Sequence, residues 1–270
     1  MKMRTKKKIA AALILVLLLT SAFGSTIAKI AEEVTFYWFD HTETELQVKA
    51  FAEENGVFFA DYPDSLIQLL ERNPETEKFV LEYPLYRPAA YDLAEYKNAE
   101  TVPLFLQWDQ RWGYETYGSD MMAITGCGPT CLAKVGYYIT GEERFDPAAV
   151  AAFAEESGYY VEGSGSSWTL ISEGGPQLGL DVVELPLDEN RMKGALENGN
   201  PIILAMGPGD FTSSGHYIVL TGVQDGMFVV NDPNSPERSG KLWSYEEISG
   251  QIRNIWAVSG RNNAVMPIEE

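Results

Sequence analysis

The chain has 270 residues, with 20 Lys and Arg against 39 Asp and Glu, a formal charge of -19. Its 45% hydrophobic and 12% aromatic content can bury a core, which excludes wholesale disorder, and the length allows one large domain or a domain with an accessory region. The acidity argues against nucleic acid and anionic membrane surfaces as main partners, because both are polyanions. Two cysteines, Cys127 and Cys131, and two histidines, His41 and His216, exclude a disulfide-rich scaffold and leave no margin for a four-ligand structural zinc site.

The N-terminus carries Lys2, Arg4, Lys6, Lys7 and Lys8, then an uncharged apolar run over residues 9–23, then small residues at Gly24 and Ser25. That order of basic, apolar and small segments reads as a secretory signal cleaved near Gly24 or Ala28. The run is short for the roughly 20 residues that span a bilayer, and an uncleaved anchor is the alternative. Either version places the protein outside the cytoplasm, secreted or held at the cell surface.

Residues 29–98 read as an accessory helical region. Asp64 and Ser65 open a stretch with Leu66, Leu69, Leu70 and Phe79 at roughly helical spacing, and Asn73-Pro74-Glu75-Thr76 breaks it and caps a second short helix. From Val102 the texture changes, and a catalytic-type domain is expected over residues 99–260, followed by a tail over 261–270. Residues 102–106 read as a short strand, and Trp108, Trp112, Tyr114 and Tyr117 as an aromatic loop cluster. A helix opens at Thr125-Gly126-Cys127-Gly128-Pro129 and stops at Gly141, burying Leu132, Val135, Tyr138 and Ile139 on one face. Asp146-Pro147 starts the next helix with an N-cap and a proline at its first position. Residues 168–178 are expected to be helical despite Gly174, Gly175 and Pro176. Strands follow at 182–185, 201–206, 216–222, 227–231 and 254–258, with a helix from Asp188 to about Asn198 between the first two. Asp225-Gly226 marks a hairpin. Helices first and mostly antiparallel strands after them make an α+β fold.

Cys127 sits at a predicted helix start, where backbone N–H groups and the helix dipole favour an anionic sulfur, between glycines that admit a substrate. His216 opens a strand after a Gly- and Ser-rich loop, residues 207–215, read as a flexible cleft wall. From there it can take a thiol proton. A base needs an acceptor on its other ring nitrogen, and Asn231-Asp232-Pro233 ends the hairpin's second strand. A two-residue turn at Asp225-Gly226 puts His216 on the face of Asn231, whereas an odd loop puts it on the face of Asp232. Gln107, with Gln110 as its rival, supplies an amide for an oxyanion.

These segments carry a resemblance. Val102-Pro103, then Gln107-Trp108-Asp109-Gln110-Arg111-Trp112-Gly113, then Gly126-Cys127-Gly128-Pro129-Thr130, then Gly215-His216-Tyr217-Ile218-Val219-Leu220, then Asn231-Asp232-Pro233 resemble papain-like cysteine peptidases related to the double-glycine leader peptidases of bacteriocin export. The resemblance covers about residues 100–258 and implies a papain-like fold, with the nucleophile helix packed on a twisted antiparallel sheet. It implies Cys127 as nucleophile, His216 as base, Asp232 rather than Asn231 as the orienting group, and Gln107 as the oxyanion donor. Trp108, Gly126, Trp168 and Gly215 are the expected substrate-binding positions. The expected partner is a peptide or protein substrate, without nucleic acid, metal or organic cofactor. The same triad would serve an amidase or transpeptidase on cell-wall or thiol peptides, and the competing non-enzyme reading is a catalytically silent binding module. Cys131, one turn beyond Cys127, departs from the small residue expected there and reads as packing, with a redox role as the alternative.

Overall fold

The computed structural model describes residues 24–260. Most of the signal segment and the 261–270 tail lie outside the described residues. The chain forms two compact units that divide between Arg87 and Pro88.

In the first unit, helices α1 (Gly24–Thr35), α2 (Glu43–Asn55), α3 (Asp64–Arg72) and α4 (Glu77–Leu81) follow one another. Local chemistry starts and stops them. The Thr42 hydroxyl accepts from Glu45 N while the Glu45 carboxylate accepts from Thr42 N, a reciprocal cap on α2, and Gly56 ends that helix at φ 68°. Asn73 breaks α3, and its side chain accepts from Glu75 N to restart the chain toward α4. Val48, Ala52, Leu66, Leu70, Phe79 and Val80 are buried. The expected α3–α4 pair is present. Helices α1 and α2 were not anticipated, although Thr42-x-x-Glu45 carries the signature of α2.

The second unit begins earlier than the expected position 99. Leu93 is fully buried in its core, and its carbonyl accepts the Tyr137 hydroxyl at 2.7 Å, so residues 88–98 belong to it. A single helical turn, Met122–Thr125, leads into α5 (Cys127–Thr140), and α6 (Pro147–Glu156) follows, capped by the Asp146 carboxylate on Ala148 N and Ala149 N. Residues 170–177 are helical, as expected, but with a wide π turn over Leu170–Gly174. Helix α7 (Glu189–Glu197) is capped by Asp188. The six strands β1 (Leu180–Glu184), β2 (Ile202–Met206), β3 (His216–Gln224), β4 (Met227–Asn231), β5 (Leu242–Trp243) and β6 (Ile252–Gly260) form one antiparallel sheet in the order β1-β6-β2-β3-β4-β5.

The sheet separates two cores. Ile203, Ala205, Tyr217 and Val219 face the core that contains α5 and α6, while Ile202, Leu204, Ile218 and Leu220 face the one that contains α7. That alternation is the period-2 pattern of strands buried on both faces. Helix α5 is buried on every side from Gly128 to Tyr137, not on one face as its spacing predicts. It sits so close to its neighbours that a Cβ on Gly136 would lie 2.1 Å from the Phe145 ring.

Two further expectations change. Residues 102–106 form no strand: Phe105 N turns back onto Pro103 O, and the carbonyls of Val102 and Pro103 accept the Asn231 side-chain amide at 3.0 and 3.2 Å. The 207–215 loop is tied down. Phe211 is buried, Gly207 N donates to Gln251 O at 2.7 Å, and the Gln251 amide bridges Asp210 N and the Asp210 carboxylate.

Candidate active site

The β3–β4 hairpin decides which side chain meets His216. Its loop is the two-residue turn, with Asp225 at φ 53° and Gly226 at φ 77°, as a type I′ turn requires. Gln224 pairs with Met227 and Gly222 with Val229, but Leu220 then pairs with Val230, leaving Thr221 as an extra residue. This β-bulge shifts the register by one and brings His216 onto the face of Asp232. The two-residue turn is expected to put His216 on the face of Asn231; it does not, because the odd residue that was expected in the loop lies within the strand. Asn231 points the other way, toward α5.

His216 Nε2 donates to Asp232 Oδ1 at 2.7 Å, and both side chains are buried. Nδ1 is the ring nitrogen left for Cys127, which is near enough to favour the charged imidazole. Burial opposes a charged imidazole. The Asp232 charge and hydrogen bond, with the Cys127 contact, outweigh it and push the His216 pKa up to about 9. Asp232 is itself fully buried, which alone would raise its carboxyl. The His216 and Arg238 charges and the Asn234 N–H hold it below the ordinary carboxylate range instead. Oδ1 accepts from Asn234 N at 2.8 Å and Oδ2 from Arg238 Nε at 2.6 Å. Oδ1 thus has two donors and Oδ2 one charged donor.

Cys127 is the first residue of α5 and is half-buried. Gly126 before it is buried, and a Cβ there would lie 2.6 Å from Met122 O. A Cβ on Gly128 would lie 2.6 Å from Ser166 Oγ. Close packing accounts for these two glycines, not the substrate access expected of them. Cys131 is fully buried, and burial pushes its thiol up.

Gln107 joins the two halves of the site. Its backbone N–H donates to Pro233 O at 2.8 Å, beside Asp232, and its side-chain Nε2 donates to Ala123 O at 2.8 Å, in the turn before Cys127. Reversing the amide would set oxygen against oxygen, so the geometry fixes its orientation. One Nε2 hydrogen is used by Ala123, and the second is available. Gln110, the rival, lies within reach of the Tyr114 hydroxyl at 3.5 Å.

Of the four expected substrate-binding positions, Trp108 is anchored to the acid's loop, its Nε1 donating to Asn234 O at 3.1 Å. Gly126 and Gly215 directly precede Cys127 and His216, and Gly215 is exposed with open space where a Cβ would be. Trp168 is 50% exposed and packs edge-on against Trp256 at 6.1 Å. Trp112 and Tyr117 are core residues, fully buried.

Two residues at the site, Arg238 and Lys134, escaped the sequence reading. Arg238 lies on α8 (Pro236–Ser239), a short helix capped by Ser235. Lys134 on α5 is fully buried, and its ammonium donates to Asn231 Oδ1 at 2.6 Å. Desolvation lowers the Lys134 pKa to about 8. Asn231, weighed in the sequence only as a partner for His216, instead ties α5 to the 102–103 carbonyls. The Lys134 spacing, seven residues after Cys127, marks it as the same helix face, but a lysine at a core position carries no local signal of its partner.

Among the described residues, no group of three or more His, Cys, Asp or Glu side chains could hold a metal ion. The chain belongs to the Peptidase_C39 like family, whose model matches residues 99–264. Two solved structures are similar in fold. One is the peptidase domain of Streptococcus ComA, described as a bi-functional ABC transporter involved in a quorum sensing pathway. It is 21% identical with a TM-score of 0.40, over 51% of this chain and 93% of that one. The other is a C39-like peptidase from Bacillus anthracis, 15% identical with a TM-score of 0.37, over 59% of this chain and 95% of that one. No curated protein matches the chain at a significant level.

Proposed function

We propose that this chain is a secreted or surface-exposed cysteine peptidase that hydrolyses peptide bonds through Cys127, His216 and Asp232. The observation that carries the reading is the 2.7 Å bond from His216 Nε2 to Asp232 Oδ1, which leaves Nδ1 as the nitrogen that can act on the nearby Cys127. In this mechanism Nδ1 takes the thiol proton and Sγ attacks the scissile carbonyl carbon. The second Nε2 hydrogen of Gln107 and the Cys127 backbone N–H receive the oxyanion, and losing one such donor costs on the order of 3 kcal/mol in the transition state. The imidazolium returns its proton to the leaving amine as the C–N bond breaks, leaving a thioester. His216 then deprotonates water, which attacks the thioester and releases the acid and the thiol. Asp232 holds the tautomer and balances the imidazolium.

The export reading rests on the basic leader and the apolar run over residues 9–23. The substrate is a peptide or protein. The test is alkylation of Cys127 by iodoacetamide in a Cys131→Ser background, followed by a peptide-library screen. Fast alkylation at neutral pH that drops at least tenfold in His216→Ala, with hydrolysis lost in Cys127→Ala, is the expected result. Equal alkylation with and without His216 would leave a binding module as the better reading.

A further inference from the structure

We infer that Arg238 is a positioning residue of this site: its guanidinium fixes the plane in which the Asp232 carboxylate meets His216 and divides the carboxylate's charge between two cations. The inference rests on the peptidase reading and adds a residue to it.

The geometry is specific. Asp232 is fully buried and its two oxygens serve different partners, Oδ1 the His216 ring and Oδ2 the Arg238 Nε at 2.6 Å. Rotation of the carboxylate would break both bonds together. Arg238 is itself held at its backbone: its N–H donates to Ser235 Oγ at 3.0 Å and its carbonyl accepts Trp243 Nε1 at 3.0 Å. The same short helix returns to the acid through Ser239 Oγ, which accepts Asp232 N at 2.9 Å. Arg238 Nη2 is buried and has no acceptor among the described residues. The guanidinium is thus committed to Asp232 through Nε.

The charges around the acid assign Arg238 a task that no neighbour shares. His216 on β3 and Arg238 on α8 touch the carboxylate, while Lys134 and Cys131 on α5 act on it through space. The Lys134 ammonium is spent on Asn231 and loses its proton near pH 8. Arginine stays charged throughout. A lone buried carboxylate would hold the imidazolium too tightly for a general acid that must release its proton near neutral pH. Sharing the charge with Arg238 keeps His216 lower than Asp232 alone would set it.

The chain has two histidines, so both ring signals can be followed by NMR in histidine-labelled protein. The expected midpoint for His216 is about 9. In Arg238→Gln it should rise by about one unit. In Arg238→Lys it should stay near the parent value, because the charge is retained. An unchanged or lowered midpoint in Arg238→Gln overturns the inference and reduces Arg238 to a structural brace. Should Arg238→Gln not fold, the Arg238 Nε–H signal of the unaltered protein decides. A shift that follows the His216 titration supports the relay through Asp232, and one indifferent to it overturns it. Failure of the peptidase reading would show separately, as Cys127 alkylation indifferent to His216→Ala.

Discussion

Helix α5 and the helices of the N-terminal unit are held by different means. Helices α2 and α3 have ends set by residues beside them in sequence: the Thr42–Glu45 reciprocal cap, the left-handed Gly56 and the Asn73-Pro74 break. Helix α5 also stops at a left-handed glycine, Gly141, but it has no side-chain N-cap and is enclosed from Gly128 to Tyr137, with Gly136 against the Phe145 ring and a buried ammonium on Asn231. The first kind of helix is specified locally and tolerates change in small increments. The second is specified by what surrounds it, and the same enclosure fixes Cys127 at its first residue opposite His216.

That contrast can be broken or sharpened experimentally. The largest effect belongs to the site: Cys127→Ala should remove peptide hydrolysis by at least about a thousandfold while thermal unfolding stays near the parent, read by product formation and calorimetry. Gly136→Ala should cost about 3 kcal/mol in denaturant unfolding, because its Cβ meets an aromatic ring that has no room to retreat. A loss under 1 kcal/mol would mean that α5 is less confined than the packing implies.

The buried charges give a pH signature. The His216 pKa rises from 6.5 to about 9, so its contribution is complete below 6.5 and is lost as pH climbs through about 9. The Lys134 pKa falls from 10.5 to about 8, so its burial cost is complete below about 8 and is relieved between there and 10.5. Stability should fall from pH 6.5 to 8, hold level to about 9 and rise from there to about 10.5. In Lys134→Met the fall should run on to about 9 without levelling, as followed by unfolding midpoints across the range. The smallest effect belongs to the N-terminal unit: Thr42→Ala should cost about 1 kcal/mol of α2 and leave the Cys127 alkylation rate unchanged.

The same contrast explains what could be read from the sequence. The caps at Asp146 and Asp188, the stop at Gly141 and the Asp225-Gly226 turn are local chemistry, and they stand where the spacing puts them. The positions of Cys127 at a helix start and His216 at a strand start were legible for the same reason. The register was not, because a bulge is a compromise between a turn, two cores and a strand end, and Thr221 has no local mark of it. Arg238 and Lys134 were missed because their meaning lies in partners on other elements, Asp232 and Asn231. Leu93 was assigned to the wrong region because its burial depends on Tyr137, 44 residues later.

The extra residue in β3 also sets how chain length can vary. Thr221 stands unpaired between Leu220 and Gly222, which already face Val230 and Val229. Removing it would leave both pairs intact, and with them the lining of each core and the meeting of His216 with Asp232. Removing Ile218 or Val219 instead would exchange the inward-facing sets of the strand's first half. Residue spacing between the histidine and the acid therefore overstates by one the number of paired positions that separate them, and the hairpin can lose a residue at one point where its neighbours cannot.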